Sequence, residues 1–170
     1  MGLEDCLTPT VVIDTNILIN LMHVGRIPIL GGLQQFDFVI TEEVAGEIEW
    51  PQQQEQLQAA LAAGILRVEP TSDLPVVTLF AELRQQMGAG EAAALALACH
   101  KGWAVASDER KAFRREAINR LGQARILTTP GIYVLAIRSG LLTIEEADAD
   151  KAKLEACRFA MNFGSFRDVL

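Results

Sequence analysis

Four acidic residues, Asp14, Glu47, Glu91 and Asp108, stand where apolar runs give way to polar ones. Carboxylates gathered at one place repel one another, and their pKa values rise unless a cation compensates. A site built from oxygen donors, without His or Cys, suits Mg²⁺ or Mn²⁺ better than zinc. One or two such ions serve phosphoryl transfer to water: they orient and deprotonate the attacking water and stabilise charge on the phosphate and the leaving oxygen. In such a site Asp14 is the firmest expected ligand. Asp108 and Glu91 are expected to hold the same ion or its water shell, and Glu47 to bridge or hold a second. Thr15, Asn16 and Ser107 are the neighbours able to fix carboxylates and waters in place.

Each acid also has an ordinary role open to it. Asp14 and Asp108 can be helix caps. Glu91 can be a first-turn acid favoured by the helix dipole. Glu47 can be a surface residue, with Glu42 and Glu43 competing for any role. Joint occurrence at the ends of separate elements favours the shared site.

The elements that must position these acids are legible from pattern. Thr10–Asp14 is short, apolar and β-branched, as a buried strand is. A helix follows through Ile17–Met22, with a short second one expected at Ile27–Leu30. Phe36–Ile40 reads as the second strand, and Thr41 can cap a helix over Glu42–Trp50. Pro51 ends that helix or begins the next, over Gln52–Ala63. Ile65–Val68 reads as a strand and Leu74–Met87 as a helix broken by Gly88–Gly90. An Ala- and Leu-rich helix runs from Glu91 to about His100. Trp103–Ala106 is a strand, followed by a helix over Glu109–Leu121. Ala124–Leu127 is the last strand, and Gly131–Ser139 a helix. Thr143 and Glu146 form a capping box opening a helix to about Phe159. Residues 1–9 read as a short tail. Strands alternating with helices predict a parallel sheet covered on both faces. If so, the strand ends carrying Asp14 and Asp108 can be neighbours.

Composition narrows the classes further. Half of the 170 residues are apolar, which opposes disorder and fits one domain with a substantial core. The net charge of −7 argues against non-specific binding along duplex tracts, where many phosphates must be neutralised. Cys6, Cys99 and Cys157 are scattered without a Cys-x-x-Cys pair, so a thiolate zinc site is not expected. His23 and His100 are too few for a histidine-rich metal site. No apolar run reaches about 18 residues without a charge. No secretory signal is legible, and a cytoplasmic, reducing setting away from membranes is the expectation. Arg110, Lys111, Arg114 and Arg115 form the densest basic group, directly after Asp108, where they can meet a phosphate backbone or simply solvate a helix face. Trp50 and Trp103 read as packing residues.

The ordered motifs resemble the PIN domain family, the fold of many toxin and RNA-processing nucleases. Val12-Ile13-Asp14-Thr15-Asn16 is similar to its opening signature. Phe38–Glu47 resembles the second segment, with its acid falling on Glu47. Gly90-Glu91-Ala92-Ala93-Ala94-Leu95-Ala96 resembles the third, and Val105–Arg114 the fourth, with Asp108 as its acid. The resemblance spans roughly residues 10–135. It implies a three-layer α/β/α sandwich with a central parallel five-stranded sheet. It also implies Mg²⁺- or Mn²⁺-dependent cleavage of single-stranded or structured RNA, with Asp14, Glu47, Glu91 and Asp108 as the acids. Family toxins are held by antitoxins and many members dimerise, so an antitoxin and a homodimer are the implied partners beside RNA. The chain is expected to be one domain, with a helical extension over about residues 140–170 that falls outside the motifs.

Two other classes compete. A non-catalytic RNA-binding or protein-interaction module can retain the fold. A haloacid-dehalogenase-like phosphatase also places an acid after its first strand, but needs a second two residues later, where this chain has Asn16.

Overall fold

The computed structural model describes residues 8–170; the expectation for the tail up to position 7, Cys6 included, lies outside the described residues. The strands are β1 (Thr10–Ile13), β2 (Asp37–Thr41), β3 (Arg67–Glu69), β4 (Ala104–Ala106) and β5 (Ile126–Leu127). The helices are α1 (Thr15–His23), α2 (Pro28–Gly32), α3 (Glu42–Glu47), α4 (Pro51–Ala62), α5 (Leu74–Leu83), α6 (Ala89–Lys101), α7 (Ala112–Leu121), α8 (Thr129–Arg138) and α9 (Ile144–Ala156).

The five strands form one all-parallel sheet in the order β3-β2-β1-β4-β5. Its inner strands β1, β2 and β4 are mainly apolar and buried because both faces are covered there, whereas the edge strand β3 is largely exposed. Val11 and Ile13 of β1, with Phe38 and Ile40 of β2, enter one core with Ile17, Leu21, Tyr133, Leu154 and Phe166. Val12, Val39 and Val105 point the other way, into a core built on α5, α6 and α7. This two-residue alternation makes the α/β/α sandwich three layers deep. A one-residue slip of β1 would exchange its faces, so three fully buried side chains lock the register that delivers Asp14. The alanines of α6 are buried from Ala92 to Ala98, and their small size lets the helix lie close over the sheet.

From β1 the chain steps outward to β2 and β3, then returns to the other side of β1 for β4 and β5. The order therefore reverses between β1 and β4. In open α/β sheets, ligands bind in the crevice beyond the carboxyl ends of the strands at such a switch point.

The segment after β5 contributes to the first core. Ala147 and Leu154 of α9 are buried in it, and the Phe166 ring stacks on Tyr133 with centroids 5.3 Å apart. Asp150 of α9, 1% exposed, accepts from Arg26 Nε at 2.6 Å and from the Tyr133 hydroxyl at 3.1 Å. The capping box expected from Thr143 and Glu146 is present. Among the described residues, no helix is long and apolar enough to cross a membrane.

Several expected boundaries move. The helix after β2 ends at Glu47, not Trp50, because Ile48 turns to extended backbone and Pro51 starts α4 as its first residue. Trp50 consequently lies outside any packed face and is 74% exposed, which corrects its reading as a packing residue. The helix expected from Glu109 begins only at Ala112, because Lys111 has φ 54° and ψ −115°, incompatible with a helix. Gly90, expected in a break, lies in the first turn of α6.

Candidate active site

Asp14 follows β1 and Ser107 follows β4, on the two strands that flank the switch point. The strands hold them together: Ile13 pairs with Ala106, and the Asp14 N–H donates to the Ala106 carbonyl at 2.9 Å. The Asp14 carboxylate caps α1, accepting the Thr15 N–H at 2.7 Å through Oδ1 and the Ser107 hydroxyl at 2.8 Å through Oδ2. Only 1% of Asp14 is exposed. Burial pushes its carboxyl up to about 7; Ser107 and Thr15 oppose the rise, while the charges of Glu91 and Glu109 add to it.

Glu47 arrives from the last turn of α3. Its Oε1 accepts the Gly90 N–H at 2.8 Å and its Oε2 accepts the Thr15 hydroxyl. A side chain at position 90 would collide here: a Cβ would stand 2.7 Å from Thr15 Oγ1 and 2.9 Å from Glu47 Cδ. Gly90 is thus a close-approach glycine that lets α6 present an N–H to Glu47. One residue on, Glu91 is half-buried in the same helix turn. Burial raises its pKa first, then the charge of Glu109; a Gly88 N–H opposes the rise and Glu47 adds to it.

Asp14, Glu47 and Glu91 line one hollow of about 200 Å³ with Thr15, Asn16 and Ile19. Its fourth acid is Glu109, where Asp108 was expected. The Asn16 side-chain amide donates to Glu109 Oε1 at 3.0 Å, and the Glu109 N–H donates to Ser107 Oγ at 3.1 Å. Sequence pattern alone puts Glu109 in a helix, beside the stronger candidate Asp108. The extra loop residues that Lys111 enforces swing it back over the strand ends.

Asp108 lies next door, lining an adjoining groove. Its Oδ1 accepts the Thr129 N–H at 2.8 Å, and its Oδ2 accepts the Thr129 hydroxyl at 2.5 Å and the Asn20 amide at 3.0 Å. Burial raises its pKa, the bonds from Thr129 and Asn20 oppose this, and Glu109 adds to it. Asn16 connects the two places: it lines both, and its Oδ1 accepts the Asp108 N–H at 3.3 Å. Asn20 and Thr129, which fix Asp108, carried no signal in the sequence beyond being polar residues next to caps.

None of these five acids makes an ion pair among the described residues. Nor do any three acid, imidazole or thiol groups there stand close enough to form a ready-made metal cluster. The basic group divides. Arg110 and Lys111 line the groove beside Asp108, whereas Arg114 donates to Gln123 at 3.2 Å and Arg115 to Gln86 at 2.9 Å.

A family model described as a PIN domain matches residues 10–159. No curated protein matches the chain.

Proposed function

The chain belongs to the PIN domain family, and from that premise we propose that it is a divalent-metal-dependent endoribonuclease that hydrolyses RNA phosphodiester bonds. The observation that carries the proposal is the hollow at the switch point, which Asp14, Glu47, Glu91 and Glu109 all line without a neutralising Lys, Arg or His among its lining residues. Burial and mutual repulsion that raise the pKa values of Asp14 and Glu91 are what a bound cation relieves. The donors are carboxylate oxygens, which fit Mg²⁺ or Mn²⁺. Asp14, Glu91 and Glu109 would hold the ion, with Glu47 beside them and Asp108 at the entrance. When bound, the ion supplies an activated water and stabilises charge on the phosphate.

The chain's own residues supply position. Asp14 is carried on a buried strand end, and the Thr15 N–H and Ser107 hydroxyl fix its two oxygens. Glu47 is clamped between Gly90 and Thr15, so its carboxylate does not have to be ordered when substrate arrives. Asn16 aligns Glu109 with the backbone of Asp108. Thr129 and Asn20 hold Asp108 in the adjoining groove. Arg110 and Lys111 offer cations to the substrate's phosphates, which positions a strand without reading its sequence.

The test is cleavage of a labelled RNA after chelation. Added Mn²⁺ or Mg²⁺ should restore cleavage, and Asp14→Asn should abolish it. Metal-independent cleavage, or an Asp14→Asn protein of full activity, refutes the mechanism. A second reading, a non-catalytic RNA-binding module, draws support from the full engagement of Asp108 by Thr129 and Asn20. RNA binding without cleavage of varied RNAs, unchanged by Asp14→Asn, would select it.

A further inference from the structure

The groove beside the acidic hollow holds about 670 Å³ and shares Asn16, Ile19 and Glu109 with it. A ligand lying in the groove therefore passes the acids. Two basic residues on its wall have unusual backbones. Lys111 (φ 54°) and Arg158 (φ 67°) are the non-glycine residues with positive φ among the described residues, and both line this groove. L-residues rarely adopt such backbones. Arg158 lies two residues past the end of α9, so the C-terminal segment brings one cation to the groove and the loop after β4 brings another.

His23 lines the groove and also an adjoining hollow that it shares with Trp50, Pro51, Gln52 and Gln53. The indole of Trp50 is 74% exposed, three residues beyond Glu47. Its backbone is extended (φ −72°, ψ 128°), as the following proline requires, so Trp50 stands outside both α3 and α4 with its indole in solvent. A large exposed aromatic next to a groove bearing Arg and Lys has the parts of a single-strand platform: a flat face for a base and cations for the backbone.

We propose that Trp50 stacks a base of an unpaired nucleic-acid strand flanking the cleaved phosphate, while Lys111 and Arg158 meet backbone phosphates across the groove. This deepens the ribonuclease reading and rests on it for the choice of RNA. A base inside a duplex has both faces covered by its neighbours, so the platform selects unpaired nucleotides.

The test is titration of the chelated, non-cleaving protein with a short labelled oligouridylate. Parallel arms use an RNA duplex of the same length and a single-stranded oligothymidylate. Binding of the unpaired RNA should quench indole emission, and Trp50→Phe should remove most of that quenching with affinity kept within about threefold. Trp50→Ala should weaken binding about five- to hundred-fold. Lys111→Gly and Arg158→Gly, which relax the positive φ, should each lower the salt slope by about one. Equal quenching by the DNA strand supports stacking of an unpaired strand with either sugar. Unchanged affinity in Trp50→Ala, or quenching by the duplex as strong as by the single strand, overturns the proposal. The two readings fail separately. Unchanged binding by Trp50→Ala in a protein that still needs Asp14 for cleavage overturns the platform alone. Trp50-dependent binding by a protein that never cleaves overturns the nuclease alone.

Discussion

Replacing Asp14 by asparagine should stabilise the metal-free fold at neutral pH while abolishing cleavage. The carboxyl is 1% exposed, and its pKa rises from an ordinary 3.8 to about 7, chiefly through burial. A carboxyl whose folded pKa lies above its unfolded value favours folding in its protonated form. Its stabilising contribution is therefore complete below about pH 4 and is lost as pH rises through 7. The interval corresponds to on the order of 4 kcal/mol. Glu91 and Asp108, whose pKa values are also raised, change stability in the same direction. Asparagine has nearly the same shape. Its carbonyl can still accept the Thr15 N–H, and its amide can donate to Ser107 Oγ. Urea denaturation of the chelated proteins is the assay. At pH 8 Asp14→Asn should be more stable than wild type by about 2–4 kcal/mol, and at pH 4 the two should agree within about 1 kcal/mol. Saturating Mn²⁺ at pH 8 should recover about 3 kcal/mol in wild type at one hundred times its Kd, and almost nothing in the variant. An Asp14→Asn protein whose stability difference from wild type is the same at pH 4 and pH 8, or that is weakened equally at both, refutes the electrostatic reasoning.

Other substitutions probe the supports of the site. Gly90→Ala improves helix propensity by up to about 1 kcal/mol, but its methyl displaces Glu47 and Thr15; cleavage should fall at least about tenfold with little gain in urea midpoint. Full activity in Gly90→Ala would remove Glu47 from the account. Thr129→Val leaves the backbone N–H on Asp108 and deletes the hydroxyl; a loss of about 1–2 kcal/mol and a measurable fall in kcat are expected, against no change if Asp108 has no part in positioning. Asp150→Ala strips Arg26 and the Tyr133 hydroxyl of their shared acceptor and should cost about 2–4 kcal/mol in a single transition. Two separate transitions would show that α9 is not part of the cooperative core.

What could be read from the chain alone follows physical rules of unequal strength. The run Val11–Ile13 is so apolar and β-branched that a buried strand ending at Asp14 had no close competitor. Trp103–Ala106 has one β-branched residue and reads as a strand from its short apolar run between Gly102 and the polar Ser107-Asp108, so the family pattern and the parallel sheet are legible together. Apolar pattern starts strand β3 two residues early, at Ile65, because at the sheet edge Arg67 and Val68 are exposed and carry no clear alternation. Glu109 was hidden by a backbone choice: the positive φ of Lys111 shortens α7, and no propensity encodes that. Gly90 looked like a helix break, since a close approach by Thr15 and Glu47 is a tertiary fact. Trp50 looked like core because it is large and apolar, and only the early end of α3 leaves it in solvent.

The most direct measurement is anomalous scattering from crystals soaked in Mn²⁺. The account predicts a peak in the hollow after β1 and β4, ligated by Asp14 with Glu91 or Glu109, and absent from Asp14→Asn crystals. A peak away from these carboxylates, or none in a protein that cleaves RNA, would contradict it.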